Sequence, residues 1–235
     1  MFRNYFEKSP AAARVIPFAV FIFFTFAQNE CGETARYWIY FLKSLIGAWL
    51  ILETWPFVKE MRLSFSWEAV AVGVGVCVMW VGLDEFYPKL SELGVKLGLS
   101  KPPEHPVTLL PWNPHAQFGH GTEWAWSFIA VRILGSSLVV PFLEEVFFRS
   151  FLYRYIASPD FESVPLGKFL PLPFFIVACV FAFEHEQWLA GILCAFAYQW
   201  LVLRKKRLGD AIVAHGITNF LLGVWVVCKG AWQFW

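Results

Sequence analysis

The segment that decides the fold is WAWSFIAVRILGSSLVVPFLEEVFFRSFLYRY, which runs from Trp124 to Tyr155. It exceeds the ~20 apolar residues that cross a bilayer, and yet it carries Glu144, Glu145 and Arg149. Ionisable side chains at membrane depth cost about 3 kcal/mol or more each, so they indicate a function. Pro141 lies inside the run, and we expect it to kink or split the helix.

The rest of the chain is equally apolar, with 58% hydrophobic and 16% charged residues, whereas soluble domains carry about 25% charged residues. Six further apolar segments lie near residues 13–28, 37–55, 67–83, 169–183, 187–203 and 210–228. Backbone polar groups in hydrocarbon need partners within the chain, so these segments should be helices. The sequence therefore predicts an all-α, polytopic transmembrane helix bundle of seven to eight spans, embedded in a lipid bilayer as a multi-pass protein of the cytoplasmic or inner membrane.

Basic residues predict the orientation of the bundle, because cytoplasmic loops are rich in lysine and arginine. Arg3, Lys8 and Arg14 place the N-terminus in the cytoplasm, and a basic run at residues 204–207 should also be cytoplasmic. Six spans must precede that run, so the segment around Pro141 counts once and the favoured number is seven. A net charge of +1 gives no support for nucleic-acid binding.

We interpret residues 1–235 as one membrane domain with N-terminal helices at 1–83, a polar, proline-rich loop at 84–123 and a catalytic helical core at 124–230. The loop histidines, His105, His115 and His120, match no metal-ligand spacing, and the five cysteines form no CxxC pair. No metal or cofactor is therefore predicted. The stretch PFVKEMRLSFSWEA, residues 56–69, is expected to form a short amphipathic helix at the interface.

Helical spacing predicts which of the charged residues between Trp124 and Tyr155 share a helix face. Glu145 and Arg149 are four residues apart, so they share a face and can form an ion pair. Glu144 lies about 100° away around the helix and is left to face a polar pocket. The alternative is that all three charges form a structural network.

Two further segments carry polar groups at membrane depth. His215 and Asn219, in AHGITNF, share one helix face and could hold a developing oxyanion, or else bind a neighbouring helix as packing contacts. His185, in FAFEHEQW, could orient or deprotonate a water, or belong to a solvated turn between two spans. A base, a histidine and an oxyanion clamp would together suffice to hydrolyse a peptide bond.

At these residues the sequence resembles the CAAX-protease and bacteriocin-processing (CPBP, Abi) family of intramembrane glutamic endopeptidases. The family pattern EExxxR, FxxxH and HxxxN reads here as EEVFFR (144–149), FAFEH (181–185) and HGITN (215–219). The resemblance implies a peptidase without an obligatory metal. Its substrate would be a membrane-associated protein or peptide, and some members of the family act on substrates that are prenylated. It implies that Glu144 activates water with the help of His185. It further implies that the remaining residues stabilise the oxyanion (His215 and Asn219) or support the site (Glu145, Arg149 and Phe181).

Two alternatives remain at this point. A zinc protease would use one glutamate and two histidines as ligands, although no HExxH helix is present. A non-catalytic scaffold, immunity factor or transporter would use the same polar groups for packing or ion passage. The seven-span topology also places His185 near the outer face and His215 near the inner face, whereas a shared site requires them to converge. The sequence does not predict the oligomeric state.

Overall fold

The chain is all-helical in a computed structural model that describes residues 2–101 and 112–235. Ten helices are present in these residues, and none of them forms a β-strand. In chain order the helices are α1 (Phe2–Lys8), α2 (Pro10–Glu30), α3 (Ala35–Thr54), α4 (Trp67–Leu83), α5 (Leu90–Lys96), α6 (Pro114–Phe118), α7 (Glu123–Ala157), α8 (Pro171–Ala182), α9 (Trp188–Lys205) and α10 (Gly209–Lys229). The predicted all-α class is confirmed.

Hydroxyl side chains begin several of the long helices. The Oγ of Ser9 accepts a hydrogen bond from the Ala12 amide at the start of α2, and Ser66 caps α4 in the same way. Thr122 caps α7 by accepting from the Ala125 amide. Each cap satisfies a backbone donor that the first helical turn leaves free, so these residues fix where the helices begin.

Helix α7 continues through Pro141, so the segment is not split at the proline, and the expected kink stays a prediction. The helix widens into a π-helical stretch at Gly135–Val139, immediately before the proline. A second π-helical stretch follows at Val146–Leu152. The wider turn accommodates the missing N–H of the proline without breaking the helix. The deciding segment therefore behaves as one element, as the seven-span interpretation requires.

The bundle closes through small residues at helix crossings. A Cβ at Gly73 of α4 would lie 2.6 Å from the carbonyl oxygen of Ala214 on α10, so the two backbones touch there. The Thr218 hydroxyl lies 2.9 Å from the Gly73 carbonyl and accepts a hydrogen bond from Tyr198 at 2.7 Å. Close backbone approach at small residues, joined by a hydroxyl bond, is typical of helix packing in membranes.

The outer surface of the bundle is apolar. Among the described residues, three helical stretches are long and apolar enough to cross a membrane: Pro10–Gln28, Glu123–Ala157 and Gly209–Lys229. Large side chains such as Phe23, Leu52 and Trp67 are exposed on the outside of the bundle. The chain is therefore an integral membrane protein, and the number of seven spans stays a prediction.

The connecting segments differ from expectation in one place. Residues 56–69 form no amphipathic helix: a 3-10 turn at Lys59–Met61 leads into non-helical chain, before α4 starts at Trp67. Met61 and Val58 are buried against the bundle there, whereas Leu63 and Phe65 of the same segment are exposed. The predicted loop at 84–123 contains the short helices α5 and α6 within its described residues, and His105 lies outside those residues.

Candidate active site

All four predicted catalytic residues line one central cavity of about 290 Å³. Its walls come from α2, α3, α4, α7, α9 and α10, together with the turn after α8. The cavity contains Glu144 of α7, His185 of the turn, and His215 and Asn219 of α10. Phe181 also lines it, whereas Glu145 and Arg149 lie behind the wall and are fully buried.

The buried ion pair of α7 is present as the spacing indicated. Arg149 Nε lies 3.3 Å from Glu145 Oε2, and neither side chain is exposed. The guanidinium also lies over the ring of Phe181, with 4.5 Å from Cζ to the ring centroid. Breaking such a pair leaves an uncompensated charge in a low dielectric, so both side chains are held in place.

His215 lies between the two neighbouring glutamates. Its Nδ1 is 2.9 Å from Glu145 Oε1, and its Nε2 is 3.9 Å from Glu144 Oε2. An ionised carboxylate only accepts hydrogen bonds, so Glu145 holds a proton on Nδ1 and turns Nε2 toward the cavity. The ring also stacks on Tyr198 at 5.1 Å between centroids, which fixes its plane.

Glu144 is the acid of the pair that has no arginine or lysine partner within 4.0 Å among the described residues. Its side chain is 12% exposed, and its Oε2 has no hydrogen-bond partner among the residues described. Its neighbour Glu145 takes both the arginine and the Nδ1 of His215. A carboxylate that faces a cavity and is free of other bonds can accept a proton from water.

Asn219 is oriented by the π-helical stretch of α7. Its Nδ2 donates to the carbonyl oxygen of Ser136 at 2.8 Å. In that stretch the amide of Val140 bonds to the Gly135 carbonyl, so the next amide would bond to Ser136. That next residue is Pro141, which has no N–H, and the carbonyl is therefore free to receive the asparagine.

His185 reaches the cavity from the turn that follows α8. Its Nδ1 lies 3.1 Å from the carbonyl oxygen of Phe181, which can only accept a hydrogen bond. The proton therefore sits on Nδ1, and Nε2 of the neutral ring carries the lone pair. Trp80 meets this ring edge-on at 5.2 Å between centroids and fixes its position.

The two histidines converge, although the seven-span topology placed them near opposite faces. The ring of Phe181 lies 5.0 Å from that of His185 and 6.4 Å from that of His215, measured between centroids. Helix α8 has 12 residues, a rise of only ~18 Å. The turn after it therefore lies within the bundle, where it meets α10.

Several residues of the cavity wall were not expected from the motifs: Lys43, Trp80, Arg132, Glu184 and Tyr198. Lys43 and Arg132 stand inside apolar segments, so the rule that singled out Glu144 could have found both. Trp80 and Tyr198 carry no such signal, because an aromatic residue in an apolar helix is ordinary core.

The residues that the structure describes contain no metal-ligand geometry. No group of three or more histidine, cysteine, aspartate or glutamate side chains there has an arrangement that could hold a metal ion. The rings of His115 and His120 lie 4.9 Å apart, but no third ligand joins them.

Comparison with known proteins finds one family. Residues 125–221 match the family model of type II CAAX prenyl endopeptidase Rce1-like proteins. No curated protein and no solved structure matches the chain. The matched residues contain all three motifs and most of α7 to α10, and they confirm the family resemblance that the motifs indicated.

Proposed function

Residues 125–221 are an Rce1-like segment, and we propose from this premise that the protein is an intramembrane endopeptidase in which Glu144 activates the attacking water. The family is a protease family, which supports peptidase activity in general. The glutamate-dependent reaction is our own proposal. It is carried by one observation: an unpaired carboxylate lines the same cavity as two oriented imidazoles.

The proposed reaction begins with a water held between Glu144 and His185. The carboxylate accepts one proton of the water, while the Nε2 lone pair of His185 accepts a hydrogen bond from the other. The water oxygen attacks the carbonyl carbon of the scissile peptide bond. Glu144 then passes its proton to the leaving nitrogen as the C–N bond breaks, which gives a carboxylic acid and an amine. The acid proton then moves to the amine or to water, which leaves the carboxylate and regenerates the ionised Glu144.

The oxyanion of the tetrahedral intermediate would be held by α10. Glu145 accepts from Nδ1 of His215, so a proton on Nε2, which faces the cavity, would complete the donor pair with Asn219. Asn219 has one N–H committed to Ser136 and a second N–H remaining for the substrate. Donors fixed in advance within a dry site stabilise developing charge far better than they do in water.

The proposed substrate is a membrane-associated protein or peptide. A lipid-facing apolar groove of about 480 Å³ lies between α3 and α7 and is lined by residues such as Leu45, Trp55 and Phe142. It shares no lining residue with the central cavity, within the described parts of the chain. An isoprenoid on the substrate would fit such a groove, and the reaction above does not require one.

The experiment compares the membrane proteomes of cells that carry the parent protein, Glu144→Gln or Glu123→Gln. Glu123 is an exposed residue in the first turn of the same helix, so its variant controls for the substitution. We expect a set of C-terminal fragments in the parent and in the control that is missing from Glu144→Gln. Identical fragments in all three strains would contradict the proposal.

A further inference from the structure

Two basic side chains line the central cavity, and neither belongs to the three motifs. They are Lys43 of α3 and Arg132 of α7. The ring of Tyr40 lies next to both, at 4.8 Å from the Lys43 Nζ and 4.7 Å from the Arg132 Cζ. The two cationic groups therefore lie within ~10 Å of each other on one side of the cavity.

Their immediate surroundings are aromatic, and the acids of the same cavity, Glu144 and Glu184, form no ion pair with them in the described part of the chain. Lys43 is 3% exposed, and its Nζ donates to the Thr25 hydroxyl at 2.9 Å. Arg132 lies over the rings of Trp112 and Trp235, at 4.7 Å and 5.7 Å. In the part of the chain that the structure describes, no carboxylate lies within 4.0 Å of either side chain, and no side-chain nitrogen of Arg132 donates a hydrogen bond.

Lys43 is buried and Arg132 partly buried, and their arrangement differs from that of the buried arginines. Arg14, Arg149 and Arg154 each have a glutamate partner. Ring faces attract a cation, but they do not replace hydrogen-bond acceptors or a counter-charge. Lys43 and Arg132 therefore present donors and positive charge to whatever enters the cavity.

We propose that Lys43 and Arg132 form a carboxylate-binding subsite, which holds an anionic group of the peptide while Glu144 faces its scissile bond. This inference rests on the proposed function. Arg132 and Glu144 are separated by ~18 Å along α7, about the length of five extended residues. The bound carboxylate therefore lies within about five residues of the cleaved bond, and it is either the C-terminal carboxylate or an acidic side chain.

Position in the cavity favours a peptide over a lipid head group as the source of the anion. Helices α3 and α7 touch beside the subsite, where a Cβ at Gly135 would lie 2.6 Å from Ser44 Oγ. The subsite therefore opens toward the cavity that contains Glu144 and not toward the lipid-facing groove between the same helices. A peptide substrate that reaches Glu144 in this cavity can also reach Lys43 and Arg132.

The test measures binding without turnover, on the Glu144→Gln protein in phosphatidylcholine nanodiscs. Three degenerate hexapeptide pools are offered: free C-terminal acids without Asp or Glu, the matching carboxamides, and carboxamides that include Asp and Glu. Retained peptides are quantified by mass spectrometry. Adding Lys43→Met, Arg132→Met or both tests the subsite, and adding Lys229→Met is the control, because Lys229 lies over the Trp225 ring outside the central cavity.

We expect at least one anionic pool to be retained about tenfold more than the neutral carboxamides, with the advantage lost in Arg132→Met and in the double variant but kept in Lys229→Met. Preference for the first pool identifies the C-terminal carboxylate, and preference for the third identifies acidic side chains. Equal retention of all pools, retention of none, or displacement by added phosphatidylglycerol but not by peptide would overturn the subsite. Cleavage is not measured here, so failure of the proposed peptidase would show separately, in the fragment comparison above.

Discussion

Two clusters of charged residues lie along helix α7, and they differ in how many partners their glutamates have. We call the first the Glu60 cluster; its members are Arg14, Glu60, Ser150 and Arg154. Both oxygens of Glu60 lie 2.9 Å from the Arg14 guanidinium, and Arg154 and Ser150 donate to one of them as well. Both carboxylate oxygens of Glu60 therefore already accept hydrogen bonds from neighbouring side chains.

We call the second the Glu144 site; its members are Glu144, Glu145, Arg149 and His215. Glu145 takes Arg149 and the Nδ1 of His215, whereas Glu144 has only the Nε2 of that histidine, at 3.9 Å. Both clusters carry a large desolvation penalty, because both place ions in a low dielectric. Only the second leaves an acid that faces a cavity without an arginine or lysine partner, so we propose a role in stability for the first cluster and in chemistry for the second.

The largest effect is expected from Glu144→Gln in purified protein. Proteolysis should fall by about 10³-fold, because the amide cannot accept a proton from water. The free energy of unfolding should stay constant or rise, since a neutral amide is easier to bury than a carboxylate whose one charged neighbour, His215, is 3.9 Å away. Activity and denaturation in mixed micelles measure the two effects, with Glu123→Gln as control, and a drop in both quantities would make this acid structural.

The opposite result is expected from Glu60→Gln. It leaves Arg154 buried without a paired acid and Arg14 with only the half-exposed Glu162, and the free energy of unfolding should fall by about 3 kcal/mol. Activity per folded molecule should be kept. Glu53→Gln is the matched control: Glu53 pairs with Arg3, which is 63% exposed, and such a pair contributes less than about 1 kcal/mol. Equal destabilisation by the two variants would remove the contrast between the clusters.

An intermediate result is expected from Glu145→Gln, because Glu145 both pairs with Arg149 and holds His215. The amide oxygen can still accept from Nδ1 of His215, but the negative charge beside the ring is lost, and turnover should fall by roughly 10²-fold. Arg149 also loses its partner, so stability should fall together with activity. Kinetics and unfolding on one preparation measure both quantities, and a variant that is active but unstable would limit Glu145 to the ion pair.

The pH dependence of stability sharpens the same comparison. Burial alone would raise the pKa of Glu60, but the guanidinium groups of Arg14 and Arg154 hold it below the ordinary value. The cluster therefore stabilises the fold fully above the unfolded-state pKa of ~4.3, and this contribution is lost as pH falls through the lower folded-state pKa. The difference in unfolding free energy between parent and Glu60→Gln should shrink below about pH 4; a constant difference would contradict this linkage.

The smallest effect is expected from metal removal. The proposed reaction uses only protein side chains and water, so dialysis against a strong chelator should leave activity unchanged. A zinc protease built from the same glutamate and histidines would lose activity and regain it when zinc is added. Metal analysis of the purified protein, together with activity before and after dialysis, separates the two mechanisms.

The sequence predicted the parts of this molecule that depend on local spacing. Hydropathy alone indicated helices, and the four-residue spacings indicated the Glu145–Arg149 pair and the common face of His215 and Asn219. The π-helical stretch before Pro141 was missed, because its effect depends on a carbonyl that α10 completes from a distance. The Glu60 cluster was also missed, because its members are far apart in the sequence and are joined only by the fold.

The interfacial helix predicted at residues 56–69 failed because amphipathic spacing does not reveal which residues the bundle buries. The convergence of His185 and His215 depends on how deep the turn after α8 lies, and no local pattern encodes that depth. Catalytic roles for these residues and for Glu144 stay predictions.

The most direct test follows the oxygen of water. Parent and Glu144→Gln proteins are incubated in H₂¹⁸O with the membrane substrates that the fragment comparison identifies, and the new carboxyl groups are analysed by mass spectrometry. Our account predicts that fragments from the parent carry one ¹⁸O at the cleaved end and that Glu144→Gln yields almost none. Labelled fragments at equal rates from both proteins would contradict the assignment of Glu144 as the group that activates water.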